Sequence, residues 1–184
     1  MRRFGVCLIR KETEPAGCIS MTEISFLATP IGKIGVAAEE EFITKVFFKI
    51  ADLPEQWQRG DQNPLLREAQ AQMDAYFAGK LREFDLPLYA EMSDFSKAVL
   101  EATLEIPYGQ VTTYGDMARR LGNPHAARAV GSALNRNPFP ILIPCHRVVG
   151  SAGSLTGYAG GLESKKFLLE MEKQFMQKEP ERLL

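Results

Sequence analysis

A cysteine, a histidine and an arginine stand side by side in "ILIPCHRVVG", residues 141–150. Cysteine acts as a nucleophile through its thiolate, and an electropositive, partly buried site lowers its pKa. Because adjacent side chains often diverge, we expect His146 to act on Cys145 through a water and to need a third group that orients its ring. A carboxylate on the last predicted helix, Glu170 or Glu172, is the candidate. A free cysteine is also a common core residue, so the pair alone leaves both interpretations open.

The residues on either side of the pair favour a functional site over a cysteine that only packs in the core. Pro138, Pro140 and Pro144 stiffen the approach to the cysteine, because proline restricts the backbone. The following segment, "GSAGSLTGYAGG", is too rich in glycine for regular structure. It predicts a loop folded over a pocket, with Tyr158 as one wall.

Two short helices are predicted before this segment. "TTYGDMARRLG" predicts a helix capped by Thr112 or Thr113, and "NPHAARAVGSALNRN" predicts a second helix after a turn. This is helix-turn-helix spacing, although an ordinary helical corner has the same pattern. A helix that reads bases usually exposes long polar side chains, whereas this one offers one arginine and small residues, namely Ala126, Ala127, Gly131 and Ser132. We expect it to recognise a lesion or a shape in DNA.

The charge distribution agrees with a polyanionic partner. The chain has a net charge of −1, but residues 111–150 contain five arginines and one acidic residue, Asp116. A locally basic face on a neutral protein suits DNA, although an ordinary mixed surface also explains such a stretch.

The elements as a whole predict an α+β protein. The 184 residues, 45% hydrophobic, are enough to bury a core in one domain or two. "EISFLAT", "KIGVAAEE" and "FITKVFFKI" predict an antiparallel sheet, and "NPLLREAQAQMDAYFAGK" predicts a helix from Asn63 to Gly79. A polar loop is expected at 52–63, and "REFDLPLYAEM" predicts a further extended segment. The chain after Asp94 is predicted to be mostly helical.

These elements divide the chain into an arm, two domains and a tail. The predicted boundaries are an N-terminal arm at 1–20, an α/β domain at 21–90, a helical domain at 91–177 and a tail at 178–184. Three cysteines and two histidines predict neither a disulfide framework nor a metal site, and we expect no cofactor. No segment predicts a signal peptide or a membrane span. We therefore expect a cytoplasmic monomer.

The block "NPFPILIPCHRVVGSAGSLTGYAGGLESKKFLLEME" closely resembles the O6-alkylguanine-DNA alkyltransferases, also called methylated-DNA–protein-cysteine methyltransferases. "IPYGQVTTYGDMARRLGNPHAARAVGSALNRNP" belongs to the same signature, and "TPIGKIGVA" and "YFAGKLREFDLPL" resemble the N-terminal domain of that family more weakly. The resemblance covers roughly residues 22–176. It implies a ribonuclease H-like first domain and a winged-helix-like second domain that contains the helix-turn-helix.

The resemblance also implies catalytic roles. Cys145 would accept the alkyl group, and His146, oriented by Glu172, would deprotonate it through a water. Asn137 would tie the helix-turn-helix to the active-site segment. Tyr114 would hydrogen-bond the flipped guanine and help to rotate its phosphate.

Further positions are implied for DNA and for the base pocket. Arg128 would enter the base stack in place of the flipped nucleotide, and the other implied DNA-binding residues are Ala126, Ala127, Thr113 and Arg136. The implied pocket residues are Val148, Tyr158, Ala159, Pro140 and Gly160. The backbones of Cys145, Val148 and Ala159 would read the guanine edge.

The implied function is DNA repair by direct reversal. O6 of guanine lies inside the duplex, so a buried thiolate reaches its alkyl group only after the nucleotide is flipped out. The thioether product is inert, so we expect one turnover on double-stranded DNA containing O6-alkylguanine, with O4-alkylthymine as a further candidate lesion. Two alternatives stay open here: a protein that binds the lesion without transfer, and a cysteine hydrolase.

Overall fold

The computed structural model describes residues 21–48 and 54–178. They form two compact units, one ending at Glu91 and the other beginning at Met92. The predicted arm, and with it Cys7 and Cys18, lies outside the described residues, as does the tail after Lys178. No helix within the described ranges combines the length and apolar character that a membrane span needs.

The first unit contains a four-stranded sheet in the order β3-β2-β1-β4. Its strands are β1 (Glu23–Thr29), β2 (Gly32–Glu39), β3 (Phe42–Phe47) and β4 (Gln58–Arg59). The first three pair antiparallel, as predicted, whereas β4 runs parallel to β1. β4 lies within the polar loop predicted at 52–63, and that prediction is wrong at these two residues because so short a strand has no alternation to detect.

Helix α1 (Pro64–Phe77) covers one face of this sheet. Its N-cap is the predicted Asn63, whose Oδ1 accepts from the backbone N of Leu65 at 2.9 Å and of Leu66 at 3.3 Å. Its buried side chains are Leu66, Ala69, Met73 and Tyr76. They form the core of this unit with fully buried sheet residues, among them Ile34, Val36 and Ile43.

The segment predicted as a further extended piece forms one isolated bridge. Leu88 pairs with Ile43 of β3 in parallel. The backbone N of Ile43 donates to the carbonyl of Pro87 at 2.8 Å, and the N of Tyr89 donates to the carbonyl of Ile43 at 3.0 Å. The segment is therefore attached to β3 without becoming a strand.

The second unit is mostly helical, as predicted. Its helices are α2 (Asp94–Leu104), α3 (Tyr114–Arg120), α4 (Ala127–Asn135) and α5 (Leu162–Lys178). Helix α4 packs against both α2 and α3. The core between these elements includes the fully buried Val99, Val130 and Phe139.

Two short strands, which the sequence does not predict, connect the helix pair to the cysteine segment. β5 (Thr112–Thr113) pairs in parallel with β6 (Val148–Val149). β5 leads directly into α3, and β6 follows the turn that contains Cys145. The pairing therefore holds the start of α3 beside the thiol segment.

Candidate active site

Cys145 begins a single 3₁₀ turn, Cys145–Arg147. The backbone N of Arg147 donates to the carbonyl of Pro144 at 2.9 Å, and the N of Cys145 donates to the carbonyl of Ile143 at 2.7 Å. Upstream, Ile141 has a φ of 77° and is 1% exposed. A β-branched residue in this region is strained, so the surrounding contacts must over-determine the segment that presents the thiol.

Asn137 supplies part of that constraint. Its Nδ2 donates to the carbonyl of Ile143 at 3.1 Å, and its Oδ1 accepts from the backbone N of Phe139 at 2.9 Å. The same amide hydrogen-bonds the sulfur of Cys145, which acts to lower the pKa of the thiol. Asn137 follows the end of α4 by two residues, so one side chain links the helix pair, the strained segment and the thiol.

Glu172 of α5 is the carboxylate that the geometry selects. It is fully buried, whereas Glu170 is exposed. Its Oε1 lies 3.0 Å from Nε2 of His146 and accepts from Nη2 of Arg147 at 2.9 Å. Its Oε2 accepts from Nε of Arg147 at 3.0 Å and from the backbone N of Gly109 at 2.9 Å. Burial alone would raise the pKa of Glu172, but these bonds outweigh burial and lower the pKa to about 2.

Arg147 links this cluster to the rest of the unit. Its Nη1 donates to the carbonyl of Ile106 at 2.7 Å, just beyond α2. The guanidinium therefore joins the end of α2, the thiol turn and α5. This agrees with an arginine that fixes the turn against the core.

The thiol and the imidazole have opposite pKa displacements. Burial raises the pKa of Cys145, against the hydrogen bond of Asn137 and the positive charge of Lys165. Burial lowers the pKa of His146, and this outweighs the attraction of Glu172. The resting state at neutral pH therefore holds a protonated thiol and a neutral imidazole. A base that is neutral at pH 7 can accept the thiol proton during reaction.

Lys165, which was not among the predicted site residues, is fully buried on α5. Its Nζ donates to the carbonyl of Val148 at 2.7 Å and to the carbonyl of Thr156 at 2.9 Å. Burial lowers its pKa. The signal was present in the sequence, because Lys165 lies three residues before Leu168 and seven before Glu172, on one face of the helix.

A cavity of about 440 Å³ lies beside α4. Two of its residues, Thr156 and Gly157, belong to the glycine-rich loop, and the others are Tyr114, Ala127, Arg128, Gly131 and Asn135. The volume is within the usual range for a small-molecule pocket. Of the positions expected to bind DNA or the flipped base, the cavity brings together Tyr114, Ala127 and Arg128.

The other expected pocket residues lie elsewhere around the turn. Val148 and Pro140 are buried, Tyr158 and Gly160 are half-buried, and Ala159 is exposed. The ring of Tyr158 lies 6.3 Å from that of His146 in an edge-on arrangement. Burial raises the pKa of Tyr158 well above its ordinary value, and the charges of Cys145 and Glu172 add to this.

The remaining expected DNA-binding positions differ in exposure. Arg128 and Arg136 are exposed, and Ala127 is half-buried. The expectation that Ala126 lies on an exposed helix face is wrong: it precedes the first turn of α4 as its N-cap and is 9% exposed. Its backbone N donates to the carbonyl of Asn123, so the preceding turn folds it inward. Thr113 is the N-cap of α3.

Comparison with known families separates the same two units. Residues 24–90 match the family model for the ribonuclease-like domain of 6-O-methylguanine DNA methyltransferase. Residues 94–174 match the model for its DNA-binding domain. The chain belongs to the 6-O-methylguanine DNA methyltransferase family. The α+β fold and the helical DNA-binding domain expected from the sequence are thereby confirmed.

Individual members of the methyltransferase family are similar to this chain over most of their length. The methylated-DNA–protein-cysteine methyltransferase of Methanosarcina acetivorans is 49% identical over 148 residues, which are 78% of this chain and 94% of the relative. That of Haemophilus influenzae is 39% identical over 153 residues, 81% of this chain and 85% of the relative. A crystal structure of Mycobacterium tuberculosis OGT in complex with DNA has a TM-score of 0.77 at 40% identity, and the match covers 83% of this chain and 94% of that one.

Proposed function

We propose that this chain repairs DNA by moving an alkyl group from O6 of guanine to the sulfur of Cys145. The observation that carries the proposal is the buried thiol, beside a neutral His146 that Glu172 holds in place. The family to which the chain belongs supports the same chemistry.

His146 acts on the thiol through its second ring nitrogen. Nε2 is 3.0 Å from Glu172, so the thiol proton passes to Nδ1, through a water. Glu172 stabilises the imidazolium that forms, because its low pKa keeps it ionised. Arg147 keeps that carboxylate in place by donating three hydrogen bonds to its oxygens.

The transfer is a displacement at the alkyl carbon. The thiolate of Cys145 forms the new carbon–sulfur bond while the carbon–O6 bond breaks, and that electron pair moves onto the guanine oxygen. The proton first taken by His146 is returned to the guanine, which leaves unalkylated. The net change exchanges the thiol proton for the alkyl group, and the inert thioether limits each chain to one turnover.

The alkyl transfer also requires access to O6 of the guanine. O6 of guanine is inaccessible inside a duplex, so the nucleotide rotates out of the stack. Tyr114, which lines the cavity beside α4, hydrogen-bonds the base as it turns towards Cys145, and Arg128 fills the vacated space. Ala127 and Gly131 leave room because their side chains are small.

Intact and peptide mass spectrometry tests the function directly. The protein is mixed with a duplex containing one O6-methylguanine, and we expect one added methyl per chain, on the peptide that contains Cys145. Cys145→Ala should show no gain. Tight binding without a mass change would instead mean a protein that binds the lesion and does not repair it.

Arg128→Ala is expected to slow transfer from duplex DNA more than transfer from free O6-benzylguanine. The free base needs no rotation out of a stack, so it does not use the side chain that replaces a flipped nucleotide. Single-turnover rates on both substrates measure the effect. Arg136→Ala is the matched control, and we expect it to weaken DNA binding and reduce its salt dependence. Equal slowing of Arg128→Ala on both substrates would contradict the role in flipping.

We further propose a monomer that acts in the cytoplasm on double-stranded DNA. Size-exclusion chromatography with light scattering tests the first, and fractionation of the native source tests the second. Competition between O6-methylguanine and O4-methylthymine duplexes measures the choice of lesion.

A further inference from the structure

The hydroxyl groups of Thr156 and Tyr114 are joined across the cavity beside α4. Oγ1 of Thr156 donates to Oη of Tyr114 at 3.2 Å. Both residues line the cavity, one from the glycine-rich loop and one from the first turn of α3. The bond therefore connects the loop to the helix pair beside Tyr114, the residue proposed to contact the flipped nucleotide.

A buried cation fixes the backbone of Thr156. Nζ of Lys165 donates to the carbonyl of Thr156 at 2.9 Å and to that of Val148 at 2.7 Å. Val148 belongs to β6, and β6 pairs with β5, which leads into Tyr114. Lys165 therefore sets the position of Thr156 relative to the strand pair that places Tyr114.

The two ends of the loop are held by other contacts. Near its start, the backbone N of Gly150 donates to the carbonyl of Ser154 at 2.8 Å. At its end, the N of Gly161 donates to the carbonyl of Tyr158 at 3.0 Å. The bonds at Thr156 lie between these two folded parts, so the Thr156 hydroxyl is not needed to form them.

We propose that Thr156 is a positioning residue that aims the hydroxyl of Tyr114 at the flipped nucleotide. Thr156 supplies the proton of the shared hydrogen bond, so the hydroxyl proton of Tyr114 can go to an acceptor on the nucleotide. The inference rests on the proposed function, because it assigns Thr156 to the nucleotide-binding step of that reaction.

The first test compares Thr156→Val with Thr156→Ser under single-turnover conditions, on a duplex containing O6-methylguanine. Valine keeps the shape and removes the hydroxyl, and we expect transfer at saturating DNA to slow by about three- to tenfold, the value of one hydrogen bond. Serine keeps the donor and should restore most of the rate. An unchanged rate for Thr156→Val would overturn the proposal.

The second test repeats Thr156→Val in a Tyr114→Phe background. A residue that acts through the Tyr114 hydroxyl has nothing left to position there, so we expect no further slowing. If Thr156→Val slows transfer by the same factor in both backgrounds, Thr156 acts through the loop itself and the proposal is wrong.

Ser154→Ala is the matched control from the same loop. The Ser154 hydroxyl donates to the carbonyl of Ser151 at 3.1 Å, within the loop, and its loss should leave the transfer rate unchanged. Thermal melting of each variant checks folding, and Thr156→Ala replaces the valine variant if that variant does not fold. If the unmodified protein gains no methyl group, the proposed function fails; if methyl transfer occurs but the Thr156 variants are as fast as it is, only the positioning role fails.

Discussion

Glu172 is the residue on which the most contacts of the site converge. It accepts hydrogen bonds from His146, from Arg147 and from the backbone of Gly109. A buried carboxylate is tolerated only when it is paired and hydrogen-bonded. The same contacts that make the charge tolerable also hold the imidazole, so the structural role of Glu172 and its proposed catalytic role depend on one set of bonds.

We expect Glu172→Gln to destabilise the protein at pH 7 and to change how stability depends on pH. The folded pKa of about 2 lies below the ordinary 4.5, so the contribution of the carboxylate is complete above pH 4.5 and is lost as the pH falls through about 2. The difference corresponds to roughly 3 kcal/mol. Urea unfolding between pH 7 and pH 2 measures it. A variant with the same acid-side slope as the unmodified protein would contradict this assignment.

We expect Lys165→Met to slow transfer at pH 7. The transfer rate of the variant should also begin to increase at a higher pH than that of the unmodified protein. Burial raises the pKa of Cys145, and the charge of Lys165 opposes that rise, so its removal raises the pKa further. The population of thiolate at pH 7 therefore falls. Rates on free O6-benzylguanine across pH measure the shift. Lys166→Met, at an exposed position, is the control and should keep the original profile.

The turn before α3 determines where Tyr114 lies, because a capping box fixes the start of this helix. The Thr113 hydroxyl accepts from the backbone N of Asp116 at 3.0 Å and donates to its Oδ2 at 2.5 Å. The backbone N of Thr113 also donates to the same carboxylate, which completes a capping box. This hydroxyl therefore fixes the start of the helix whose first residue is Tyr114.

We expect Thr113→Ala to lower the free energy of unfolding by about 1 kcal/mol, because it removes the cap of α3. Thr113→Ser keeps the hydroxyl and should retain most of the stability. Chemical unfolding without DNA separates this effect from any contact with the phosphate backbone. A stability equal to that of the unmodified protein, combined with weaker DNA binding, would assign Thr113 to DNA contact alone.

Long elements were predictable from periodicity, and short ones were not. Helix α1, with Asn63 as its cap, follows from the spacing of apolar residues and from Pro64 in its first turn. The strands β4, β5 and β6 have two residues each, and their pairing depends on chain segments far away in the sequence. Local pattern does not carry that information.

The site residues, too, were predictable only where a local sequence pattern identifies them. The PCHRV segment identifies Cys145 and His146. The residues alone leave Glu170 and Glu172 as candidates for the carboxylate, and the resemblance to the alkyltransferases implies Glu172. Which carboxylate reaches the imidazole depends on how α5 rotates against the thiol turn. Lys165 was missed because a lysine at an apolar helix position is usually assumed to reach solvent.

At the scale of the whole molecule, alkylation changes the protein permanently. The thiol of Cys145 is 7% exposed and accepts a hydrogen bond from Asn137. A thioether sulfur is a weak acceptor, so alkylation weakens the contact between the sulfur and Asn137, whose Nδ2 still donates to the carbonyl of Ile143.

We therefore expect the alkylated protein to melt at a lower temperature than the unmodified one. A loss of about 1 kcal/mol corresponds to roughly 2–4 °C for a chain of this size. Differential scanning calorimetry before and after reaction with an O6-methylguanine duplex measures it, with the DNA removed. Cys145→Ala treated in the same way should show no shift, and an alkylated protein as stable as the unmodified one would contradict the expectation.

The distance along the chain between the thiol and its carboxylate also has a consequence during synthesis. Glu172 follows His146 by 26 residues and lies well inside α5. A growing chain therefore makes Cys145 before it has made the helix that holds the imidazole, and domains generally fold as units. We therefore expect the thiol of a nascent chain to lack the assistance of the His146–Glu172 pair until α5 has been made and packed.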